Sequence, residues 1–240
     1  MQREYLLQRL KRVVLRTLDD IVVPIVNVLV SNRIGGVIPE VMDRVVRDAA
    51  DYCDAKMGDA LMFTTRERLW SYALRNASDA GVGLEFGVFE GASLRFFAQR
   101  RPQQKFVGFD SFAGLKEDWA GWQYTKGHFD KRGELPDVPA NVSLVAGWFD
   151  ETVPGFAAQL NEPVSFVHVD CDTYESTCVV LGALAAKLRP GAVIVFDEYF
   201  GYRGWRNGEF RAWQELVAAR GLAYRYLAFS NMAVAVAITE

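Results

Sequence analysis

The chain has 240 residues, half of them hydrophobic, which suffices to bury the core of one α/β domain and argues against a disulfide-stapled miniprotein or a disordered tail. Its 27 basic and 30 acidic side chains give a net charge of −3, which disfavours a dedicated nucleic-acid binder. The three cysteines are odd in number and form no CxxC pair, so neither a disulfide framework nor a thiolate zinc site is predicted, and a reducing compartment, the cytoplasm, is expected.

The first 63 residues are predicted to form a helical N-terminal extension to the main domain, residues 64–240. At the start of the chain, apolar residues recur at helical spacing among basic side chains, which predicts an amphipathic helix with a basic face. We favour packing of this helix on the domain or on a second subunit, and a homo-oligomer is expected; peripheral contact with a membrane surface is the alternative. Residues 13–30 are apolar but interrupted by charged residues and a proline, so no transmembrane helix is predicted.

Two further helices are predicted before the sheet begins. One runs from Pro39 to Lys56, with Pro and Glu in its first turn. The other covers Thr65 to Ala77, with Thr64 as its cap and apolar residues at core spacing.

From Gly81 onward, short apolar runs alternate with helical patterns. The predicted strands are Val82–Phe86, Phe106–Asp110, Val142–Ala146, Val164–Asp170, Ala192–Asp197, Ala223–Phe229 and Met232–Ile238, and the predicted helices among them are Ala92–Arg100, Ser176–Leu188 and Phe210–Arg220. Because parallel strands need long crossovers, this alternation predicts an α/β fold whose mostly parallel sheet is covered by helices on both faces. The short link between the last two strands predicts a closing hairpin.

The predicted strands carry acidic residues at or near their ends, namely Glu85, Asp110, Asp170, Asp197 and Glu198. In open α/β sheets, ligands bind beyond the carboxyl ends of the strands. Carboxylates gathered at one edge raise one another's pKa unless cations or hydrogen-bond donors compensate them. We therefore expect a cationic partner at this edge of the sheet.

The turn after the first strand is rich in glycine. Gly87 permits a tight turn and close approach by a ligand, Gly91 lets the next helix start near the sheet, and Ser93 offers a hydroxyl beside free backbone N–H groups. An anionic ligand group could bind there, although ordinary turn chemistry explains the same residues. The pattern lacks the central glycine of G-x-G-x-x-G, which disfavours an NAD-dependent oxidoreductase.

Asp110 ends the second strand, where a carboxylate could accept hydrogen bonds from two ribose hydroxyls. The alternative is an Asx-turn, in which Asp110 bonds its own backbone. Beside the glycine turn, ribose binding is the favoured interpretation.

Asp170, Asp197 and Glu198 would bring three oxygen donors together from neighbouring strand ends, a ligand set that suits Mg²⁺, Mn²⁺ or Ca²⁺. The alternative is that these carboxylates only cap adjacent helices. Asp172 has Glu175 three residues later, a capping-box spacing, so it could be an N-cap, a general base, or both.

His168 and Cys171 flank the same site and invite a zinc interpretation. His168 alternates onto a strand face that a helix is expected to cover, and a lone cysteine beside it lacks the remaining tetrahedral ligands. A hydrogen-bonded core histidine is the preferred interpretation.

Five motifs in order resemble those of a known family. They are E-x-G-V-x-x-G-x-S from residue 85, F-D-S-F-x-G-L from 109, G-W-F-x-x-T-V-P from 147, D-x-D-x-Y-x-S-T from 170 and the acidic pair at 197–198. Over residues 64–202 the chain resembles the S-adenosylmethionine-dependent O-methyltransferases of the macrocin (TylF) type, which act on sugar hydroxyls in natural products.

The resemblance implies a Rossmann-like class I methyltransferase with a seven-stranded, mostly parallel sheet and a reversed last strand. It also implies roles for particular residues: Glu85, Gly87, Gly91 and Ser93 for the methionine part of S-adenosylmethionine, Asp110 and Ser111 for its ribose, Gly147, Trp148 and Phe149 for its adenine, Asp170, Asp197 and Glu198 for a divalent metal such as Mg²⁺, and Asp172 as general base. Asp170 would also lie beside the cofactor.

Two features depart from that family. Its fifth strand usually ends in Asp-Asp, whereas this chain has Asp197-Glu198, so the second ligand reaches one methylene further. The helical extension before Thr64 has no counterpart that we can name.

The expected function is divalent-metal-dependent methylation of a hydroxyl on a sugar or glycosylated natural product. A metal lowers the pKa of a hydroxyl, and a carboxylate accepts its proton as attack on the methyl group proceeds. The aromatic loop Gly114 to Pro139 is typical of an active-site lid that contacts a polyhydroxylated acceptor, although it could equally pack on itself. The alternatives are catechol-type methylation of an aromatic diol and a non-catalytic S-adenosylmethionine-binding scaffold.

Overall fold

The computed structural model describes residues 36–239, where apolar runs form strands and the amphipathic segments between them form helices. The helices are α1 (Val37–Lys56), α2 (Arg66–Asn76), α3 (Ala92–Arg100), α4 (Phe149–Gln159), α5 (Tyr174–Leu184) and α6 (Glu209–Arg220), with a short 3₁₀ helix at Trp205–Asn207. The strands are β1 (Leu61–Met62), β2 (Val82–Phe86), β3 (Phe106–Asp110), β4 (Val142–Ala146), β5 (Val164–Val169), β6 (Val193–Phe196), β7 (Tyr224–Phe229) and β8 (Val234–Ile238).

The strands form one sheet in the order β1-β7-β8-β6-β5-β2-β3-β4. Strand β8 is antiparallel to both of its neighbours, and the other pairings are parallel. The predictions of a mostly parallel sheet and a reversed last strand are therefore confirmed. The two-residue β1 pairs with β7 and adds an eighth strand, which is too short to produce a recognisable pattern in the sequence.

The core lies where helices cover the central strands. Strands β2, β5, β6 and β8 are buried along their whole length, as expected for strands covered on both faces. Leu69 and Trp70 of α2 pack in the same cluster as Phe97 of α3 and Phe166 of β5. This packing holds the carboxyl ends of β2, β3, β5 and β6 at one edge of the sheet.

Several element boundaries differ from the predicted ones. Helix α4 was not predicted, because Pro154 lies inside it and proline normally disfavours a helix interior. Thr65, rather than Thr64, caps α2, since its side chain accepts the N–H of Arg68. Helix α5 begins at Tyr174, two residues earlier than predicted, with Thr173 as its N-cap.

The N-terminal predictions are only partly covered by the described residues. Helix α1 confirms the predicted helix ending at Lys56, whereas the basic amphipathic helix and residues 13–30 lie outside the described range. The chain divides into two compact units, Met1–Arg47 and Asp48–Glu240, and the site described below belongs to the second. The division at residue 63 stays a prediction. Within residues 36–239, no helix is long and apolar enough to cross a bilayer.

The turn after β2 depends on close approach between two backbones. Gly87 has φ +94°, and a Cβ built there would lie 1.8 Å from the carbonyl oxygen of Asp170. Only glycine fits, because the opposing atom is backbone and the left-handed conformation disfavours other residues.

We predict that Gly87→Ala lowers the free energy of unfolding by about 3 kcal/mol or more, because the clash adds to the backbone strain. The matched control is Gly182→Ala in α5, where a Cβ meets nothing within 4 Å and helix propensity favours alanine by up to about 1 kcal/mol. Urea unfolding measures both variants. Equal stability of the two variants would contradict this account of the turn.

Candidate active site

A cavity of about 820 Å³ opens beyond the carboxyl ends of the central parallel strands, where ligands bind in open α/β sheets. The predicted site residues that line it are Gly87, Ser93, Asp110, Ser111, Trp148, Phe149, Asp170, Asp172, Asp197 and Glu198. Glu85, Gly91 and Gly147 are the predicted site residues that are not among its lining.

Glu85 and His168 form a buried pair in the centre of the sheet. The two residues lie side by side on β2 and β5, and His168 Nδ1 is 2.7 Å from Glu85 Oε1, with neither side chain exposed. On the other side of the ring, Nε2 lies 3.5 Å from Asp197 Oδ1, and Asp197 Oδ2 accepts a hydrogen bond of 3.1 Å from Arg66 Nη1. We call these four residues the buried charge chain; Arg66 forms its exposed end.

The charges of this chain alternate in sign. Burial alone would lower the pKa of His168, but attraction to Asp197 and Glu85 outweighs burial and raises that pKa to about 10. Burial would raise the pKa of Asp197, but His168 and Arg66 outweigh it and lower that pKa. A protonated His168 and an ionised Asp197 therefore compensate each other inside the protein.

The prediction of a hydrogen-bonded core histidine is confirmed. Cys171 directs its Sγ toward the carbonyl oxygen of Phe86, and no ligand group of three or more side chains within the described range includes His168 or Cys171. Glu85 was predicted to contact the methionine part of the cofactor. Its carboxylate instead faces His168 in the core and does not reach the cavity, so its position does not support that contact.

Three other carboxylates do come together at the cavity. Single oxygen atoms of Asp170, Asp172 and Glu198 all lie within 4.8 Å of one another, and we call these residues the acidic trio. Asp197 was predicted to complete this set, but its oxygens face Arg66 and His168 instead, and Asp172 takes its place. Asp172 and not Asp197 joins the set because of the directions in which the two side chains point, and sequence spacing does not specify those directions.

Burial and mutual repulsion disfavour ionisation of the acidic trio. Burial raises the pKa of Asp170, and repulsion from Asp197 raises it further. Burial also raises the pKa of Glu198, and repulsion from Asp170 adds to this effect. Burial, then Asp197 and Asp110, raise the pKa of Asp172 to about 7. Within residues 36–239, no basic side chain forms an ion pair with the acidic trio, and Glu198 Oε2 is buried without a hydrogen-bond partner.

Asp172 lies in a strained turn between β5 and α5. Its φ is +63°, a conformation uncommon for residues other than glycine, and the N–H of Thr173 donates to the carbonyl oxygen of Cys171 at 2.6 Å. Thr173 caps α5 by accepting the N–H of Ser176. The capping alternative for Asp172 is therefore wrong, and its carboxylate is available to the cavity.

Asp110 is already engaged by backbone N–H groups. Its Oδ2 accepts hydrogen bonds from Val88 at 2.8 Å and Phe89 at 2.7 Å, and its Oδ1 accepts one from Phe112 at 2.7 Å. The bond to Phe112 is the Asx-turn considered above. A carboxylate offers about four acceptor positions, so Asp110 retains capacity for a single further donor.

The neighbouring polar and aromatic groups border the same part of the cavity. The Ser111 hydroxyl bonds the backbone of Ala113 and Gly114. The N–H of Gly147 donates to the Asp110 carbonyl oxygen at 3.0 Å, which brings β4 close to β3. Trp148, the N-cap of α4, and Phe149, its first residue, line the cavity.

The loop predicted as a lid both lines the cavity and packs on itself, and its contact with an acceptor stays a prediction. Trp119, Trp122, Tyr124 and Phe129 line the cavity. The loop also packs on itself, because the N–H of Trp119 donates to the Tyr124 carbonyl and the Tyr124 and His128 rings stack 4.3 Å apart. We call these four aromatic lining residues the aromatic wall of the cavity.

Two residues at the site were missed by sequence reasoning. Arg66 comes from the start of α2, and only packing brings it to Asp197. Glu209 begins α6 and is fully buried, where its carboxylate accepts the N–H groups of Cys171 and Glu198. Burial, then Asp197, raise its pKa to about 8. An acid in the first turn of a helix is common, so the sequence carries no signal for this role.

Comparison with known proteins agrees with the geometry. Residues 84–199 match the family model of a methyltransferase domain. A stretch of 77 residues is 31% identical to the 8-demethyl-8-(2,3-dimethoxy-alpha-L-rhamnosyl)-tetracenomycin-C 4'-O-methyltransferase of Streptomyces olivaceus, covering 32% of this chain and 27% of that relative. The chain thus matches only a minor part of this curated relative.

Solved structures share the fold. The calicheamicin methyltransferase CalS11 superposes with a TM-score of 0.59 at 22% identity, over 85% of this chain and 93% of its own; it is also described as a TDP-rhamnose 3'-O-methyltransferase. The O-methyltransferase NovP superposes with a TM-score of 0.51 at 20% identity, over 72% of this chain and 78% of its own.

The fold and the matched segment agree with each other. The sheet is Rossmann-like, and residues 84–199 match the family model of a methyltransferase domain. The methyltransferase fold and domain implied by the sequence motifs are confirmed.

We predict strong energetic coupling within the buried charge chain. His168→Leu leaves the Glu85 carboxylate buried without a partner, which costs about 3–5 kcal/mol of unfolding free energy. Replacing Glu85 by leucine as well removes that carboxylate, so the double variant E85L/H168L should be more stable than H168L. A double-mutant cycle in urea measures the coupling. Additive effects of the two substitutions would show that the pair is not coupled.

Proposed function

We propose that the protein transfers the methyl group of S-adenosylmethionine to a hydroxyl of a sugar or glycosylated natural product, with a divalent cation at the acidic trio. The matched relatives support the substrate class, since the tetracenomycin enzyme is a rhamnosyl 4'-O-methyltransferase and CalS11 a TDP-rhamnose 3'-O-methyltransferase. The acidic trio at the cavity, which forms no ion pair within residues 36–239, is the observation that carries the proposal.

The acidic trio has the chemistry of a site for a hard divalent cation. Its donors are carboxylate oxygens, which Mg²⁺, Mn²⁺ and Ca²⁺ prefer. The buried and unpartnered Glu198 Oε2 lacks a positive partner among the described residues, as a ligand oxygen would before an ion binds. A divalent cation held by Asp170, Asp172 and Glu198 would lower the pKa of a substrate hydroxyl bound to it.

Asp172 is the residue best placed to accept the hydroxyl proton. Its carboxylate lines the cavity, caps no helix and is directed by the strained turn rather than by a hydrogen-bonded partner. A carboxylate has two oxygens, so one oxygen of Asp172 can face the cation while the other accepts the proton. Removing the proton as the oxygen attacks the sulfonium methyl avoids forming a free alkoxide.

The cofactor fits the half of the cavity formed by β2, β3 and β4. Backbone N–H groups near Ser93 at the start of α3 suit the methionine carboxylate, because a helix N-terminus attracts anions. Asp110, with capacity for one more donor, suits a ribose hydroxyl, and the rings of Trp148 and Phe149 suit the adenine. The reactive methyl group would then lie between these residues and the acidic trio.

The acceptor fits between the acidic trio and the aromatic wall. Trp122, Tyr124 and Phe129 offer apolar faces of the kind that pack against sugar rings. Two neighbouring hydroxyls could be held at the acidic trio, which fixes one oxygen toward the methyl group and supplies rate through positioning. A vicinal diol is therefore the proposed acceptor group.

We predict that Asp172→Asn lowers the rate of methyl transfer by about 100-fold or more, since a positioned general base contributes about 10²–10⁴-fold. Asparagine tolerates φ above zero, so the turn is retained. Calorimetry should show that S-adenosylhomocysteine binds the variant within about threefold of the parent affinity.

The assay uses labelled S-adenosylmethionine with separate panels of glycosides, catechols and simple alcohols. The control is Asp79→Asn, because Asp79 is exposed and remote from the cavity. A near-normal rate for Asp172→Asn would exclude Asp172 as the base. Methylation of catechols in preference to glycosides would contradict the proposed substrate class, and failure of the parent to bind S-adenosylhomocysteine would contradict the proposed reaction.

A further inference from the structure

Glu209 occupies an unusual position for the first residue of a helix. Its side chain is fully buried, although acids at helix starts usually face solvent. Its two oxygens contact separate loops: Oε1 accepts the N–H of Cys171 at 3.3 Å, and Oε2 accepts the N–H of Glu198 at 3.2 Å. Glu209 thus joins the loop after β5 to the loop after β6.

Both of these loops carry members of the acidic trio. Cys171 lies between Asp170 and Asp172 in the chain, and Glu198 is itself a member. Both backbone polar groups of Cys171 are hydrogen-bonded: its N–H donates to Glu209, and its carbonyl oxygen accepts the N–H of Thr173. A strained conformation such as the φ of +63° at Asp172 persists only where the surrounding contacts overdetermine it.

The start of α6 is itself fixed in place. A Cβ built at Gly208 would lie 2.0 Å from the hydroxyl oxygen of Tyr202, so the chain passes directly against that ring. Tyr202 and Trp205 are both buried. Glu209 therefore projects from an anchored backbone, and its carboxylate has a defined location.

We propose that Glu209 is a positioning residue, which sets the distance between the two loops and so directs the carboxylates of the acidic trio toward one another. The proposal rests on the proposed function, because the acidic trio is taken as the cation site and Asp172 as the base. Glu209 itself faces backbone N–H groups and is not required to touch cation, cofactor or acceptor.

The test is Mn²⁺ titration of the parent and of Glu209→Gln by calorimetry. Glutamine has the same shape, but its amide nitrogen cannot accept a hydrogen bond, so one of the two N–H groups loses its partner. We expect Mn²⁺ to bind about 10–100-fold more weakly, the usual effect of removing an outer contact of a metal site. Binding of S-adenosylhomocysteine should stay within about threefold, which shows that the fold is intact.

Glu215→Gln is the matched control, because Glu215 is an exposed residue of the same helix, bonded to Arg211 and Tyr174. It should leave Mn²⁺ affinity unchanged. Glu209→Asp retains both acceptor oxygens, but its side chain is shorter by one methylene. We therefore expect a loss of Mn²⁺ affinity between those of the parent and of Glu209→Gln. If Glu209→Gln does not fold, the titration of Glu209→Asp decides the outcome.

Equal Mn²⁺ affinity of the parent and the folded Glu209 variant would overturn the proposal. A parent that binds no Mn²⁺ would instead contradict the proposed cation site. If the parent binds no Mn²⁺, the crystal structure of the Glu209 variant tests the role of Glu209 without the metal. Loss of the hydrogen bond from the Thr173 N–H to the Cys171 carbonyl oxygen would support that role. Retention of this hydrogen bond, with the acidic trio unmoved, would overturn it.

Discussion

The buried contacts of His168 with Asp197 and Glu85 determine how charge is distributed at the edge of the sheet. Because Asp197 and Glu85 together raise the pKa of His168, its positive charge compensates Asp197 from within the protein, and Arg66 compensates Asp197 from the cavity side. The acidic trio receives no such partner among the described residues. Neighbouring carboxylates at the same edge therefore differ: the protein neutralises Asp197, and the acidic trio is the cation site proposed above.

The geometry of the site depends on backbone contacts as much as on side chains. Gly87 allows the turn after β2 to approach Asp170, and three N–H groups bound by Asp110 hold that turn to the end of β3. Thr173 caps α5 and leaves Asp172 free at the preceding position. These contacts fix Asp110 and Asp172 at separate places along the cavity.

Much of the fold was predictable because buried parallel strands are continuous apolar runs and their acidic ends mark one edge of the sheet. The directions of side chains were not predictable: Glu85 was assigned to the cofactor but faces His168 in the core, and Asp197 was assigned to the metal but bonds Arg66 and faces His168 at the edge of the cavity. Arg66 and Glu209 were missed because they reach the site from helices whose packing the sequence pattern does not specify. Helix α4 was missed because of its internal Pro154.

The most direct test of this charge distribution is the anomalous diffraction of crystals grown with Mn²⁺ and S-adenosylhomocysteine. The account predicts one manganese peak with carboxylate ligands from the acidic trio, while Asp197 keeps its contacts with His168 and Arg66. A manganese ion ligated by Asp197 in place of Asp172, with the contact between Asp197 and Arg66 broken, would contradict it. So would the absence of any peak at this edge of the sheet.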